Sequence, residues 1–502
     1  KVYRGIYSGQ LLGTHKLFKG KTTVEWVGGF NKSNRNQPDY KRYRTDIDGT
    51  NGTQTLFVPI GAAAAEFLGR FYSNLDESSY SGGVSINQQF GFSKNPELSP
   101  AVKAGMFFEN KEREFNARNI GYVRASSSNF DQTLLTGTIG DLFQRQNINN
   151  TTGIKIDEQS NPSDNYKASN QLLAYYALVD LPVSTKFKSS FGVRIEDNIQ
   201  EINSATFTND PVNKKFPVTS VLPSANLSYN FSEKMLLRAT YGKTVNRPEF
   251  RELAPFGFYD FNFNFTNKGN PNLITAQIHN ADLRWEFYPS KVEIITVGAF
   301  YKYFNNPIET VFNPGSGSLG AKSFTYQNAQ SATSYGAEIE IKKGLAGLTS
   351  SPFLDKISFL FNTAIIRSNI ELGQAISAGQ SNERPMQGQA PFILNSGIFY
   401  TDDEKGLQVN LLHNVVGKNI IFVGFDDYPD LYMMPRHQLD LTFNKRLSKY
   451  FELKGGISDI INQDVLILQD GNTDKKFERN NDQVIQKYKP GQVFSLGFSF
   501  RL

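Results

Sequence analysis

Cysteine is absent from this chain of 502 residues. Its absence excludes disulfide frameworks, thiolate metal sites and catalysis by a cysteine nucleophile. Long apolar runs are absent as well, because the best candidate, residues 62–65, ends at Glu66. A membrane-spanning helix needs roughly 18 to 20 apolar residues, so the chain does not cross a membrane with helices.

Histidine is scarce. The four histidines, His15, His279, His413 and His437, are far apart in the sequence and show neither His-x-x-x-His nor Glu-x-x-His spacing. Because that spacing places two zinc ligands on one helix face, its absence argues against a protein metal centre. A Gly-x-Ser-x-Gly nucleophile elbow and a phosphate-binding loop are also missing. The sequence therefore predicts neither an enzyme nor a bound cofactor.

Blocks of like charge are missing too. The chain has 53 basic and 48 acidic residues, a net charge of +5, with the two signs interleaved. This pattern is typical of a solvated surface, and no nucleic-acid partner is predicted. Aromatic residues are plentiful, with 41 Phe and 23 Tyr, yet the mean hydropathy is -0.41. The chain is therefore aromatic-rich without being hydrophobic on average.

Alternation of apolar and polar residues dominates the sequence. At the C-terminus the apolar members are Phe494, Leu496, Phe498, Phe500 and Leu502. In the segment 280–287 the polar members are Asn280, Asp282, Arg284 and Glu286. Successive side chains of a strand point to opposite faces, so each segment predicts a strand with one apolar and one polar face.

A soluble sandwich would show the same alternation, so the connections between strands decide the class. Short polar turns, such as residues 232–234 and 289–291, alternate with long segments, such as 119–165 and 248–272. Short connections on one side and long ones on the other are typical of outer-membrane barrels. We therefore predict an all-β fold, a large antiparallel transmembrane β-barrel that occupies residues 1–502 as one domain in a bacterial outer membrane.

The alternating segments predict about 17 strands. Their ranges are 1–19, 21–35, 66–91, 101–118, 166–182, 186–202, 218–231, 235–247, 273–288, 291–304, 322–343, 355–370, 389–401, 406–424, 435–447, 450–468 and 486–502. The first and last strands should both run toward the periplasm. Since such barrels usually have even strand numbers, an odd number is expected before Lys1, about five if the complete barrel has roughly 22 strands.

Several segments carry a family likeness. They are NRPEFRELAPF at 246–256, GNPNL at 269–273, RWEFYP at 284–289, LLAYYALVDLP at 172–182, FGVRIE at 191–196, LPSANLSY at 222–229, FYKYFNNPIE at 300–309, GISDIINQ at 456–463, and Gln37-Pro38-Asp39 with Arg42. Together they resemble TonB-dependent receptors, particularly the Bacteroidetes type.

The resemblance implies a barrel of about 22 strands filled by an N-terminal plug. It also implies a periplasmic TonB box that couples transport to the inner-membrane proton gradient. Neither precedes Lys1, so we expect the barrel portion without its plug. The expected partners are outer-membrane lipid, the TonB complex through the missing N-terminal part, and a surface lipoprotein or another outer-membrane protein.

Arg247, Glu249 and Arg251 lie where an outward strand meets a long loop. There they could bind a polar solute; alternatively, they pair with each other or with the plug. Pro248 cannot donate a ladder hydrogen bond and should end the strand pairing.

An aromatic run follows in the same loop. Its members are Phe256, Phe258, Tyr259, Phe261, Phe263 and Phe265. The run could be a stacking platform for a sugar or an aromatic ligand, with Tyr259 as our candidate contact, or a hairpin packed on its neighbours.

Two acidic segments invite comparison with calcium loops. In the first, which contains Asp46 and Asp48, the twelfth position is Phe57, where a calcium loop needs a glutamate, so a turn is predicted. The second contains Asp426, Asp427 and Asp430 and is not specific for calcium.

A set of charged residues occupies the polar face of the predicted strands. They are Arg238, Asp282, Arg284, Glu286, Glu338, Glu340, Lys342 and Asp440. Facing hydrocarbon would cost roughly 2 to 4 kcal/mol for a basic group at the bilayer midplane, so these residues should line the lumen.

The predicted function is energised import of a large or scarce solute, which binds at the extracellular loops and the plug apex. Two alternatives stay open: a passive outer-membrane channel, and a barrel subunit of an outer-membrane assembly or secretion complex. The solute is not specified, because siderophore, cobalamin-like cofactor, oligosaccharide and peptide all fit the sequence.

Overall fold

The computed structural model describes residues 1–91, 98–260, 263–313, 322–348, 350–373, 380, 384–425, 428–471, 477 and 482–500. Strands are numbered β1 to β28 along the chain. Among these residues, no helix has the length and apolar character required to cross a membrane.

The main sheet contains 18 strands. One of them, β7 (Ile154–Glu158), pairs with residues 120–124, and the other 17 strands form the barrel wall. The wall strands are β1 (Tyr3–Leu17), β2 (Thr22–Tyr43), β5 (Leu68–Gln89), β6 (Ala101–Arg124), β8 (Asn165–Pro182), β9 (Phe187–Ala205), β10 (Pro211–Ser232), β11 (Met235–Asn246), β14 (Ala276–Phe287), β15 (Ile294–Asn305), β18 (Ser331–Gly344), β19 (Ile357–Glu371), β20 (Phe392–Asp402), β21 (Leu407–Val416), β24 (Arg436–Arg446), β25 (Phe451–Ser458) and β28 (Val493–Phe500).

The remaining elements lie in the connections. The strands are β3 (Thr45–Ile47), β4 (Gln54–Leu56), β12 (Gly257–Asp260), β13 (Phe265–Lys268), β16 (Ile308–Phe312), β17 (Lys322–Asn328), β22 (Asn419–Phe422), β23 (Leu431–Met433), β26 (Val465–Gln469) and β27 (Gln483–Tyr488). The helices are α1 (Ile139–Leu142), α2 (Phe250–Leu253) and the 3-10 turns Phe18–Gly20, Gln132–Leu135, Arg145–Asn147, Pro162–Asp164 and Leu354–Lys356.

Each wall strand pairs antiparallel with the next wall strand along the chain, which gives a meander. Short turns and long loops alternate between them, as predicted: residues 233–234 join β10 to β11, and residues 247–275 join β11 to β14. Within the described residues β1 pairs only with β2, and β28 only with β25, so these two are the edges of the sheet. The antiparallel β-barrel fold predicted from the alternation is confirmed.

The outer face of the wall is apolar. Strand register places Trp26, Val84, Met106, Tyr175 and Ile195 side by side on five adjacent strands. Each of these side chains is between 39% and 47% exposed. Such a continuous exposed apolar row on a strand wall is typical of a lipid-facing surface. The opposite, polar face is the inner face.

The C-terminal strand follows the predicted alternation. Phe494, Leu496, Phe498 and Phe500 of β28 are exposed on the outer face. Arg501 and Leu502, the last members of the predicted pattern, lie outside the described residues.

Four predicted strands are each divided in two. The predicted ranges 322–343, 406–424, 450–468 and 486–502 each contain a loop strand and a wall strand. Alternation continues from wall to loop, so the sequence pattern has no break where the chain leaves the wall. Between β25 and β26, Asp459 and Asn462 adopt positive φ angles, which gives the local turn.

Strand length differs between the two halves of the wall. β2, β5, β6 and β10 have 22 to 24 residues, whereas β20 to β28 have at most 11. A bilayer requires roughly 9 to 11 residues per strand, so the long strands project beyond it on the side of the long loops. Loops above the shorter strands form two four-stranded sheets, β12-β13-β17-β16 and β22-β23-β26-β27.

Candidate functional site

The loop of residues 247–275 folds onto the inner face of the barrel. Its side chains Phe250, Ala254 and Phe256 belong to a buried apolar cluster. The wall contributes the other buried members, which are Phe71, Phe115, Ala117, Tyr166, Ala168 and Ile202. Burial of these aromatic rings stabilises the inward position of the loop, at roughly 25 cal/mol per Å² of apolar surface removed from water.

Ring contacts fix the loop against one row of the wall. Leu75, Phe115 and Tyr166 occupy directly opposed positions on β5, β6 and β8. The Phe115 ring centroid lies 5.3 Å from that of Tyr166 and 4.9 Å from that of Phe256 in the loop. The loop therefore packs against the inner wall at the level of this row.

Hydrogen bonds to backbone carbonyls attach the loop to the wall and join its two ends. Gln200 donates a hydrogen bond from its side-chain amide to the carbonyl of Pro248, at 3.0 Å. The backbone N–H of Asn270 donates to the carbonyl of Glu252, at 2.6 Å. At Gly269 a Cβ would collide with the Ala254 carbonyl oxygen, so this close approach requires glycine.

Arg247 is placed in an internal ion-pair network. Its guanidinium lies 2.5 Å from Glu196 of β9, and Arg194 contacts the other oxygen of the same carboxylate at 2.6 Å. The Arg247 side chain is 19% exposed. Arg247 therefore pairs with a carboxylate of the wall, a partner that neither of the two sequence-based alternatives named.

Glu249 and Arg251 flank the start of α2. The Glu249 side chain is exposed, and its backbone N–H donates to the Glu252 carboxylate at 2.9 Å. Burial raises the pKa of Glu252 above its ordinary value. Arg251 is exposed and lies over the Phe258 ring, with its guanidinium carbon 4.3 Å from the centroid.

Tyr259 is half-buried beside an arginine that sequence analysis assigned only to a family segment. Its hydroxyl donates to the Asn264 side chain at 2.7 Å, and burial raises its pKa. The guanidinium of Arg42 lies 5.3 Å from the Tyr259 ring centroid and 5.2 and 5.1 Å from those of Tyr40 and Phe71. Arg42 is only 7% exposed. Arg42 and these three rings form an aromatic cage. Phe71 and Tyr259 are distant from Arg42 in the sequence, so the sequence did not predict it.

The aromatic run divides between two surfaces. Phe256 and Phe258 pack on the inner wall, and the Phe258 ring lies 6.5 Å from Phe71. Phe263 and Phe265 both contact Phe422, at 5.3 and 4.7 Å, within the loop sheets. These contacts match a hairpin packed on its neighbours. Phe261 lies outside the described residues.

Five of the charged residues predicted for the lumen lie together on the inner face. Glu286 pairs with Arg238 at 3.2 Å and with Arg284 at 3.4 Å, and Arg284 also approaches Glu340 at 3.5 Å. Asp282 accepts a hydrogen bond from Thr240 at 3.4 Å. A continuous polar network therefore links β11, β14 and β18.

The other three share that face by register. Glu338 lies opposite Gly298, the neighbour of Arg284, and Lys342 lies opposite Ile294. Asp440 accepts hydrogen bonds from the Asp459 backbone at 2.7 Å and from Gln438.

The described carboxylates of the two acidic segments accept hydrogen bonds from protein donors. Asp46 pairs with Arg44 at 2.7 Å. Asp48 accepts hydrogen bonds from the Thr50 hydroxyl and from the Thr50 backbone N–H, the latter at 2.8 Å, and these two bonds lower the pKa of Asp48. Asp430 accepts from the Gly424 backbone at 2.8 Å, and Asp426 and Asp427 lie outside the described residues. No cluster of three or more His, Cys, Asp or Glu suited to a metal occurs among the residues that the structure describes.

The histidines all lie on the outer face. His413 and His437 are within hydrogen-bond distance, with Nε2 and Nδ1 3.0 Å apart, although 24 positions separate them. His279 contacts Tyr241 at 2.9 Å, and His15 accepts from Trp26 at 3.1 Å.

Two cavities have ligand-sized volumes. One, of about 660 Å³, lies against the wall near the short turns, beside the ion pair of Glu25 and Lys103. The other, of about 690 Å³, lies among the loops between Arg384 and Tyr432. Arg384 there is bound by both carboxylate oxygens of Glu309, at 3.1 and 2.7 Å.

Comparison with known proteins gives one family and one fold. Residues 4–460 match the family model described as TonB dependent receptor-like, beta-barrel. No curated protein matches the chain by sequence.

Solved structures with the same fold include three transporters or receptors. The ferric yersiniabactin uptake receptor FyuA from Yersinia pestis is 12% identical, with a TM-score of 0.59, and 99% of this chain aligns with 61% of it. The siderophore receptor PiuA from Acinetobacter baumannii is 13% identical, with a TM-score of 0.63, and 99% of this chain aligns with 64% of it. The copper transporter OprC is 12% identical, with a TM-score of 0.62, and 99% of this chain aligns with 65% of it. The chain thus spans less than two thirds of the length of each.

Proposed function

This chain belongs to the family of TonB-dependent receptor-like β-barrels of the bacterial outer membrane, and from that membership we propose that it imports a large or scarce solute. The solute would bind at the extracellular mouth and pass through the barrel only when the transporter is energised. The proposed energy source is the proton gradient of the inner membrane, delivered by TonB through a plug domain.

The inward fold of residues 247–275 is the observation that supports this proposal most strongly. The loop rests on the inner wall through Phe250, Ala254 and Phe256, so the mouth is narrowed by a packed apolar contact. A passive channel requires a water-filled path, and a loop packed on the inner wall narrows such a path. The geometry therefore favours a receptor over a channel.

Solute contacts are proposed for the side chains that the loop presents at the mouth. Arg251, Glu249 and Tyr259 are exposed or half-buried there. Arg247 is engaged with Glu196, so we propose that it positions the loop, while Arg251 contacts the solute.

The inner-face charges form the proposed lining of the path. The network of Arg238, Arg284, Glu286 and Glu340 lies below the loop. Charged groups there remain solvated by water or by a plug, which a lipid-facing position would not permit. Besides lipid and TonB, a surface lipoprotein is a further proposed partner, for which the long loops supply the docking surface.

Conductance in planar lipid bilayers tests the proposal against the channel alternative. The full-length protein, inserted without TonB, is expected to pass no steady ionic current. Phe256→Ser weakens the packing of the loop and should produce transient openings, because truncating a buried aromatic side chain costs about 3 to 5 kcal/mol. A large steady current through the unaltered protein would support a passive channel and overturn the proposal.

A further inference from the structure

Two histidines from adjacent wall strands meet on the outer face. His413 of β21 lies opposite Leu439 of β24, two positions from His437, so the two histidines are diagonal neighbours in the ladder. Nε2 of His413 is 3.0 Å from Nδ1 of His437. The two ring planes differ by 14°, and the ring centroids are 5.3 Å apart. The pair therefore presents two imidazole nitrogens at one point of the outer surface.

The pair lies at the extracellular end of the wall. Residues 403–406 form the short turn between β20 and β21, whereas residues 417–435 form the long loop between β21 and β24. His437 is the second residue of β24, and His413 is the fourth from the loop end of β21. β24 has 11 residues, about the number required to cross a bilayer. Its second residue therefore lies at the membrane surface, where extracellular water reaches it.

Neighbouring groups hold both histidines in place. Nδ1 of His413 lies 3.4 Å from the Ser396 hydroxyl, which can accept the proton of that nitrogen and leave the Nε2 lone pair free. The backbone N–H of His437 donates to the Gln463 side-chain oxygen at 2.8 Å. Arg436, the preceding residue, donates to the Gln463 carbonyl at 3.0 Å. The separation of the two histidines is thus fixed by paired strands and by the turn that follows β25.

The distance between the two nitrogens matches the edge of a metal coordination shell. Zn²⁺ binds imidazole nitrogen at roughly 2.0 to 2.1 Å, which places two nitrogens of a tetrahedral shell roughly 3.3 to 3.4 Å apart. Two adjacent nitrogens of a square-planar Cu²⁺ shell lie roughly 2.9 Å apart. The observed 3.0 Å lies between these values. Because the χ2 angle of histidine is broad, a small rotation of each ring turns both lone pairs toward one ion.

We propose that His413 and His437 bind one divalent transition-metal ion, of the Zn²⁺ or Cu²⁺ class, at the extracellular rim of the outer face. Neutral imidazole is a ligand that suits both ions. Water completes the shell, because no third His, Cys, Asp or Glu joins the pair within the described ranges. The ion joins β21 to β24 where the loop of residues 417–435 leaves and re-enters the wall. The site faces away from the lumen, so this inference is independent of the proposed import.

Calorimetric titration of the full-length protein in detergent with ZnCl₂, in a buffer that does not chelate zinc, tests the site. The variants are His413→Asn and His437→Asn. His279→Asn is the matched control, because His279 is also on the outer face, fourth from the loop end of β14, and contacts Tyr241 instead of a second histidine. Electron paramagnetic resonance with one equivalent of Cu²⁺ gives a second readout, the number of coordinated nitrogens.

The expected result is zinc binding that His413→Asn and His437→Asn each weaken by more than about tenfold, because loss of a residue that only orients a metal ligand already costs about that much. His279→Asn should bind zinc as the unaltered protein does. The Cu²⁺ spectrum should show two coordinated nitrogens in the unaltered protein and fewer in either variant of the pair.

Absence of zinc binding by the unaltered protein, or equal binding by all three variants, overturns the inference. A Cu²⁺ spectrum that is the same in all three variants also overturns it, because the ion then lies elsewhere. Thermal unfolding without metal, followed by circular dichroism, checks that each variant is folded. Since His437 is exposed, its replacement should leave the fold intact even if His413→Asn does not fold.

Discussion

At the residue scale, Arg42 is a buried arginine whose guanidinium is enclosed by aromatic rings. Three aromatic rings, from Tyr40, Phe71 and Tyr259, surround its guanidinium at 5.1 to 5.3 Å. Cation–π attraction is strongest where water is excluded, and Arg42 is 7% exposed. The cage also connects the wall to the inward loop, because Tyr259 is a loop residue.

Arg42→Gln should therefore destabilise the mouth. The loss is expected to be about 2 kcal/mol, since the replacement removes a desolvated cation–π contact. Thermal unfolding in detergent, followed by circular dichroism, measures the change. Arg145→Gln, at an exposed position, should leave the melting temperature unchanged; equal shifts in both variants would contradict the role of the cage.

Glu252 gives the loop a pH dependence. Burial raises its pKa in the folded loop above the ordinary 4.5, so the folded state binds the proton more tightly than the unfolded state. The contribution of Glu252 to the stability of the folded loop is therefore fully present at pH values below the ordinary pKa of 4.5. This contribution declines as the pH rises through the raised pKa of the folded loop. Protection factors from hydrogen exchange over residues 250–258 should fall across that window. A variant with Glu252→Gln should lose the trend, and persistence of the trend would contradict it.

The candidate site was only partly predictable at this scale. The motif at 246–256 correctly indicated the loop, because its residues are contiguous and include a strand-ending proline. The pairing of Arg247 with Glu196 spans 51 positions, and the contact of Arg42 with the Tyr259 ring joins a wall strand to the loop. Contacts between residues so distant in sequence leave no local pattern, so neither the ion pair of Arg247 nor the cage at Arg42 could be predicted from the sequence.

At the element scale, one glycine controls the fold of the inward loop. Gly269 packs so closely against the Ala254 carbonyl that a Cβ has no space there. The neighbouring backbone bond from Asn270 to Glu252 depends on the same approach. α2 has only four residues, so its position is determined by these tertiary contacts.

Gly269→Ala should release the loop from the wall. Because backbone must move to admit the methyl group, we expect faster proteolysis between residues 247 and 275 and larger bilayer conductance. Gly242→Ala is the matched control, since a Cβ on that wall glycine meets nothing within 4 Å. Equal protease resistance in both variants would contradict the close-packing explanation.

Element boundaries show where sequence reasoning succeeds and fails. The range predicted for the eighth strand, 235–247, agrees with β11 within one residue because a short turn and Pro248 delimit it. The range 322–343 was predicted as one strand, but β17 belongs to a loop sheet and β18 to the wall. Alternation of apolar and polar residues indicates the two faces of a strand, but it does not indicate to which sheet the strand belongs.

At the scale of the whole molecule, the two tryptophans report on the orientation of the wall. Trp26 and Trp285 are the only ones in the chain, and register places both on the outer apolar face. The outer face contacts lipid, so brominated lipids should quench their fluorescence strongly, while aqueous iodide should quench it weakly.

Difference spectra between the unaltered protein and Trp26→Phe or Trp285→Phe isolate each contribution. Each difference should disappear in brominated lipid. Strong iodide quenching of either residue would place it in water and contradict the assignment of the two faces.

In the whole molecule, the inward loop narrows the mouth above a polar inner face, and the proposed import through this path takes its energy from the proton gradient. The most direct test is the initial rate of uptake of a solute first identified by its binding to the purified full-length protein, in cells with and without a protonophore. The account predicts that binding to the cell surface persists while uptake stops when the gradient is abolished. Uptake that continues at the same rate without the gradient would contradict energised import and identify the protein as a passive channel.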